Sequence, residues 1–156
     1  MEVKYINPFV IATQTVFKTM LNIEIGLDKP IIKKNNTTTG DVTGVMGLAG
    51  DKKGTICISF TDKGALFVYK TLMGDEHDKI SSEVVDAIGE LTNIISGQAR
   101  KELEKAGVNL KAAIPTVVVG RGVELHMISN APSISLPFHF SIGNDTENLF
   151  VDFSFE

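Results

Sequence analysis

The stretch SSEVVDAIGELTNIISGQARKELEKAG, residues 81–107, decides the fold because the spacing of its apolar residues predicts one long α-helix. A serine at 81 or 82 suits the N-cap, and Gly107 suits the position just past the C-terminus. About 25 helical residues form a rod of ~37 Å. At about 100° per residue, one stripe is apolar and is expected to face a sheet. Its members are Val84, Ile88, Leu91, Ile95, Ala99, Leu103 and Ala106.

A second row of residues lies on the opposite side of this predicted helix. It contains Asp86, Glu90, Asn93 and Gly97, followed by Arg100 and Glu104. A solvated face is the ordinary explanation, but Asn and Gly are poor helix formers that such a face does not require. A carboxamide can orient water, a carboxylate can hold a cation, and a glycine lets another surface come close. The row therefore favours docking into another protein's active site over a pocket of its own.

Composition limits the possible classes of protein. The chain has 156 residues with 43% apolar and 22% charged, which predicts a single globular domain over residues 1–156. A net charge of −4 without a basic run argues against nucleic-acid binding. The single Cys57 excludes an internal disulfide and suits a reducing compartment. No signal layout and no run near 18 apolar residues is found, so we expect a soluble cytoplasmic protein that does not enter a membrane.

The rest of the chain alternates helical and extended patterns. Asn7 suits an N-cap and Pro8 a first helical position, which predicts a helix over residues 8–21. DVTGVMGL and GTICISF flank AGDKKG as a hairpin, and the glycines of its first strand indicate twist or a close contact. Pro137 predicts that the strand 133–142 is an edge strand or carries a bulge. Further segments are extended at 22–36, helical at 62–74, and extended at 115–125 and 148–155. The order predicts an α+β domain with helices packed on an antiparallel or mixed sheet.

The long helix resembles the CheC/CheX family of chemotaxis phosphatases. Their signature is Asp or Ser, three residues, Glu, two residues, Asn, and a Pro a little over twenty residues further on. Asp86, Glu90, Asn93 and Pro115 stand at those positions, and EVVDAIGELTNIISGQARKEL around them is also similar. The succession of elements extends the resemblance over most of the chain. CheC-type members carry the Glu-x-x-Asn pair twice, whereas PFVIATQTVFKTMLN shows no second copy, so the chain most resembles CheX.

The resemblance implies hydrolysis of the phospho-aspartate on a CheY-like response-regulator receiver domain. The receiver supplies a lysine and Mg²⁺ next to its phosphoryl group, so we expect no cofactor on this chain. Asn93 is the expected catalytic residue that orients the attacking water, and Glu90 is expected to anchor the receiver lysine. Asp86 and Gly97 are expected to be docking or peripheral residues. Members of this type form homodimers, so a homodimer is expected.

Two alternatives remain open from the sequence. The chain can be a non-catalytic module of the same fold that binds a receiver or scaffold through the same helix. It can also be a dimeric structural protein whose polar row is buried between the subunits. His77, His126 and His139 have no ligand spacing with one another or with Cys57, so no metal site is expected. Cys57 has no CxxC partner and is expected to be a core thiol.

Overall fold

The computed structural model describes residues 3–126 and 130–156, which form one antiparallel sheet and three α-helices. The helices are α1 (Val3–Val16), which continues as a π-helical turn (Phe17–Leu21), α2 (Asp62–Met73) and α3 (Ser82–Lys105). The strands are β1 (Gly26–Leu27), β2 (Ile31–Lys33), β3 (Val42–Gly50), β4 (Gly54–Phe60), β5 (Leu110–Ala112), β6 (Thr116–Val119), β7 (Ser133–Ile142) and β8 (Asp145–Phe155). The predicted α+β class is confirmed.

The sheet is built around two hairpins. Its strand order is β1-β7-β8-β4-β3-β5, and all recorded pairs are antiparallel. The predicted hairpin of β3 and β4 is confirmed, with Val42 opposite Phe60 and Leu48 opposite Gly54. At one edge β1 and β2 follow each other along β7, and at the other edge β5 and β6 follow each other along β3.

The three helices cover one face of the sheet and enclose the core. Phe9 of α1 stacks on Phe153 of β8 with ring centroids 4.1 Å apart. Phe67 of α2 stacks on Phe140 of β7 at 6.2 Å. The long helix α3 lies beside α1 and packs on β3. These contacts hold α3 along the β3 edge of the sheet, so one side of the helix is free to face outward.

The opposite face of the sheet carries small polar side chains that are nevertheless buried. Thr43 and Ser59 share a hydrogen bond of 2.7 Å, and Lys33 donates to Asp152 at 2.9 Å. Segments 33–41 and 120–126 contribute to this cover, since Lys33 also donates to the Thr37 carbonyl at 2.6 Å and the Thr38 hydroxyl donates to the Gly120 carbonyl at 3.2 Å. Strand β4 is buried on both faces. Its small polar side chains alternate with apolar ones but do not reach solvent.

The predicted start of the first helix at Pro8 is wrong. The helix already includes Val3, so Pro8 lies inside it and gives up one backbone hydrogen bond. The early turn is held by tertiary packing, because the Tyr5 ring lies 6.4 Å from that of Phe155. The predicted end at residue 21 is confirmed, and Asn22 closes the helix in the left-handed conformation at φ 53°.

The expectation for Pro137 is also wrong. Strand β7 pairs with β8 in one unbroken register and has β1 and β2 on its other side, so it is neither an edge strand nor bulged. The Pro137 carbonyl accepts from Asp28, in the turn between β1 and β2. In an antiparallel pair the backbone N and O of one residue point to the same side. The N–H that Pro137 lacks would therefore point toward the gap between β1 and β2, where the ladder has no strand partner. A proline is tolerated there because the ladder is already interrupted.

Candidate functional site

The helix α3 is closed at both ends as the sequence predicts. The Ser81 hydroxyl accepts from the Val84 backbone N–H at 3.3 Å, and Gly107 has a φ of 83°. The Glu83 backbone N–H, followed by the Ser81 hydroxyl, lowers the pKa of the Glu83 carboxyl in the first turn. A carboxylate at this position is stabilised by the positive end of the helix dipole. The helix is therefore a defined frame for the side chains on its outer side.

The buried stripe of α3 is confirmed except at its last position. Val84, Ile88, Leu91, Ile95, Ala99 and Leu103 are buried. Ala106 is exposed because it follows the last helical turn. The stripe is also wider than predicted, since Thr92 and Ser96 are buried as well. Thr92 lies against Gly44 of β3, where an added Cβ would overlap the Thr92 hydroxyl, which confirms a close contact at that glycine.

The three polar residues Asp86, Glu90 and Asn93 are exposed on the outer side of α3. Within residues 3–126 and 130–156, none of their side chains forms a hydrogen bond or ion pair. Asn93 follows Glu90 by three residues, so both head groups lie on one helical face about one turn apart. The backbone is fixed while the polar groups are unengaged. This arrangement suits contact with another molecule and contributes little to the stability of the chain itself.

Pro115 of the sequence signature lies in a bulge at the β3 edge of the sheet. Leu48 pairs with Ala112 and Val45 pairs with Thr116, so three residues at 113–115 face two on β3. Bulges of this kind often lie next to active sites. Ile114 within it is 89% exposed. The bulge was not predicted from the sequence, because the flanking strands β5 and β6 are short and have no clear alternation.

The two glycines within α3, Gly89 and Gly97, differ in what lies against them. An added Cβ at Gly89 would lie 3.2 Å from Val117 of β6, so this glycine lets the strand approach beside Glu90. Gly89 was not singled out from the sequence, although a second glycine in a long helix was the available signal. Gly97 is half-buried, and the atom closest to an added Cβ there belongs to the Arg100 guanidinium at 3.7 Å. Any contact of Gly97 with a partner stays a prediction.

The remaining candidate residues lie away from this face. Cys57 is a free, buried thiol, as predicted. His77 shares a hydrogen bond with Ser81 at 2.8 Å, and His139 with Asp28 at 2.9 Å. Among the described residues, no group of three or more His, Cys, Asp or Glu side chains is arranged to hold a metal ion. None of the described helices is long and apolar enough to cross a membrane.

Comparisons with known proteins agree with this geometry. The family model described as chemotaxis phosphatase CheX matches residues 42–139, which is more than half of the chain. The CheY-P phosphatase CheX of Thermotoga maritima is 28% identical over 126 residues, covering 80% of this chain and 81% of that protein.

Two solved structures are similar over nearly the whole length. A chemotaxis protein CheX from Desulfovibrio desulfuricans is 38% identical with a TM-score of 0.86, covering 97% of this chain and 99% of that one. A complex of CheX with CheY, BeF3 and Mg²⁺ from Borrelia burgdorferi contains a chain that is 29% identical with a TM-score of 0.75, covering 97% of both chains.

Proposed function

This chain belongs to the CheX family of chemotaxis phosphatases, and on that premise we propose that it hydrolyses the phospho-aspartate of a CheY-like receiver domain. The observation that carries the proposal is the pair Glu90 and Asn93, exposed and unengaged on the outer side of α3. The similarity to a CheX chain found with CheY, BeF3 and Mg²⁺ supports a receiver as the partner.

Asn93 is the proposed catalytic residue. An acyl phosphate is intrinsically reactive, so a catalyst mainly has to place a water in line and stabilise charge. The amide of Asn93 can accept one hydrogen bond from that water and donate another, which fixes its orientation. Its exposure on a rigid helix lets it enter the receiver's site, where the receiver supplies Mg²⁺ and a lysine.

Glu90 is the proposed anchor for the receiver lysine, one helical turn before Asn93. A carboxylate that meets an ammonium forms a charge-assisted hydrogen bond and fixes the approach of the two proteins. Asp86, one turn earlier on the same side, is proposed to contact the rim of the interface. Gly97 is proposed to leave room on that side of the helix for the approaching receiver, because it has no side chain.

We also propose that the chain forms a homodimer that buries at least one sheet edge. Unpaired edges promote association, and both edges here expose apolar side chains. Ile31 and Ile32 of β2 are 54% and 65% exposed, and Val119 of β6 is 57% exposed. Sedimentation at tens of micromolar should show a dimer, and Ile32→Lys or Val119→Lys should shift it toward monomer. A wild-type chain that sediments as a monomer would exclude this assembly.

The test of the phosphatase proposal is phosphate release from phosphorylated CheY-like receivers of the source organism. Addition of this protein should accelerate release well beyond the receiver's own rate. A matched control is Asn130→Ala, which truncates an exposed asparagine outside α3 and should keep the wild-type rate. Binding of a phosphorylated receiver without faster release would instead identify a non-catalytic receiver-binding module.

A further inference from the structure

The side chain of Arg100 has no hydrogen-bond or ion-pair partner in the part of the chain that the structure describes. Its guanidinium folds back along α3 and lies 3.7 Å from where a Cβ of Gly97 would stand. The Nε atom is buried without a hydrogen-bond partner. Within the described ranges 3–126 and 130–156, Arg100 forms no ion pair either. A buried N–H donor without an acceptor is unfavourable, so proteins ordinarily pair such a group.

The guanidinium lines an open cavity of about 520 Å³ between α3, the β3–β4 turn and the start of β5. Arg100, Lys101 and Lys111 contribute three positive charges to its wall, and Asp51 and Glu104 contribute two negative charges. The Asp51 carboxylate already accepts from the Asn109 backbone N–H at 2.8 Å. The cavity is therefore locally positive on a chain whose net charge is −4, which favours an anionic occupant.

The cavity adjoins the outer side of α3 that carries the proposed catalytic pair, since Gly97 and Arg100 line its wall. Asn93, Gly97 and Arg100 follow one another at helical spacings of four and three residues, so they lie on one stripe. Since the guanidinium reaches back over Gly97, it lies about one turn from Asn93. A receiver that presents its phospho-aspartate to Asn93 therefore lies close to this cavity.

We propose that Arg100 is a docking residue that binds a carboxylate on the receiver surface next to the phosphorylation site. This inference rests on the proposed function. The two terminal Nη groups of one guanidinium can donate in parallel to the two oxygens of an Asp or Glu side chain, a geometry that lysine cannot reproduce. Gly97 has no side chain to cover the guanidinium, whose nearest atom would lie at van der Waals distance, 3.7 Å, from an added Cβ.

The test is a steady-state titration of Arg100→Gln with phosphorylated receiver. We expect KM to rise by about tenfold or more, the size of a charge-assisted pair lost at an interface, with kcat within about twofold. Arg100→Lys should recover only part of the affinity. Lys105→Gln is the matched control, because it removes one positive charge from the same helix outside the cavity, and its KM should equal that of the wild type.

A second measurement separates docking from a structural role. Because Nε has no partner among the described residues, Arg100→Gln should keep or raise the Tm. Binding to a receiver saturated with beryllofluoride and Mg²⁺ should weaken by the same factor as KM, and this readout needs no turnover. If the receiver binds both proteins equally well, the docking role is wrong even though phosphatase activity persists. Inhibition by inorganic phosphate that disappears in Arg100→Gln at unchanged KM would identify a phosphate site and overturn the proposal.

Discussion

Glu90 and Asn93 lie one helical turn apart, but truncation of each is expected to change a different kinetic parameter. A carboxylate that pairs with the receiver lysine acts before and during the reaction, so Glu90→Ala should mainly weaken saturation with phosphorylated receiver. An amide that positions water acts as the attack proceeds, so Asn93→Ala should mainly lower the maximal rate. Steady-state titration of both variants checks this. The roles are reversed if Asn93→Ala loses affinity and keeps its maximal rate.

The buried thiol of Cys57 should make stability depend on alkaline pH. Burial, and then the charge of Asp152, raises the pKa of Cys57 to about 12, while Lys33 lowers it. In the unfolded chain a thiol ionises near pH ~8.5, so its contribution to stability is complete below that pH and declines as pH rises toward 12. The free energy of unfolding of the wild type should therefore fall relative to Cys57→Ala by up to about 1.4 kcal/mol per pH unit above pH ~9. Parallel curves for the two proteins from pH 8 to 11 would contradict this.

At the scale of elements, the close approach of α3 to β3 depends on Gly44. A Cβ at this position would overlap Thr92, a buried residue midway along α3. Gly44→Ala should therefore destabilise the fold by about 1–3 kcal/mol. Gly47→Ala is the matched control on the same strand, because its added Cβ would lie 4.0 Å from Ala113 and should change stability by less than about 0.5 kcal/mol. Urea unfolding compares the two, and equal losses would show that the contact does not set the helix position.

The elements themselves were predictable where their periodicity is long. The helix α3 and the β3–β4 hairpin follow from apolar periodicities that extend over many residues. The two ends of α3 follow from Ser81 and Gly107. Three of the five prolines show the limit of such prediction. Pro8 lies inside α1, Pro115 lies in a bulge, and Pro137 lies opposite the gap between β1 and β2. Local rules state what a proline cannot do, whereas tertiary pairing decides where that restriction is tolerated.

For the whole molecule, sequence patterns identified the helix-covered face but not the cover on the other face. Alternation in β4 gives one apolar side and one side of small polar residues, and in antiparallel sheets such a polar side is commonly in contact with solvent. In the structure Lys33 crosses that face to Asp152, with 15% and 7% of their side chains exposed. The two residues are 119 positions apart in the sequence, and nothing local to either one indicates the pair. The same reason explains why the cavity at Arg100 was not predicted.

The central claim concerns the complex of this protein with a receiver: Asn93 supplies the group that positions water for attack on the receiver's phospho-aspartate. The most direct measurement is single-turnover decay of phosphorylated receiver at saturating concentrations of this protein. Asn93→Ala should bind the receiver and leave its decay close to the rate without any phosphatase, while its Tm stays near that of the wild type because Asn93 is exposed and unengaged. A folded Asn93→Ala protein that accelerates decay as strongly as the wild type would contradict the account.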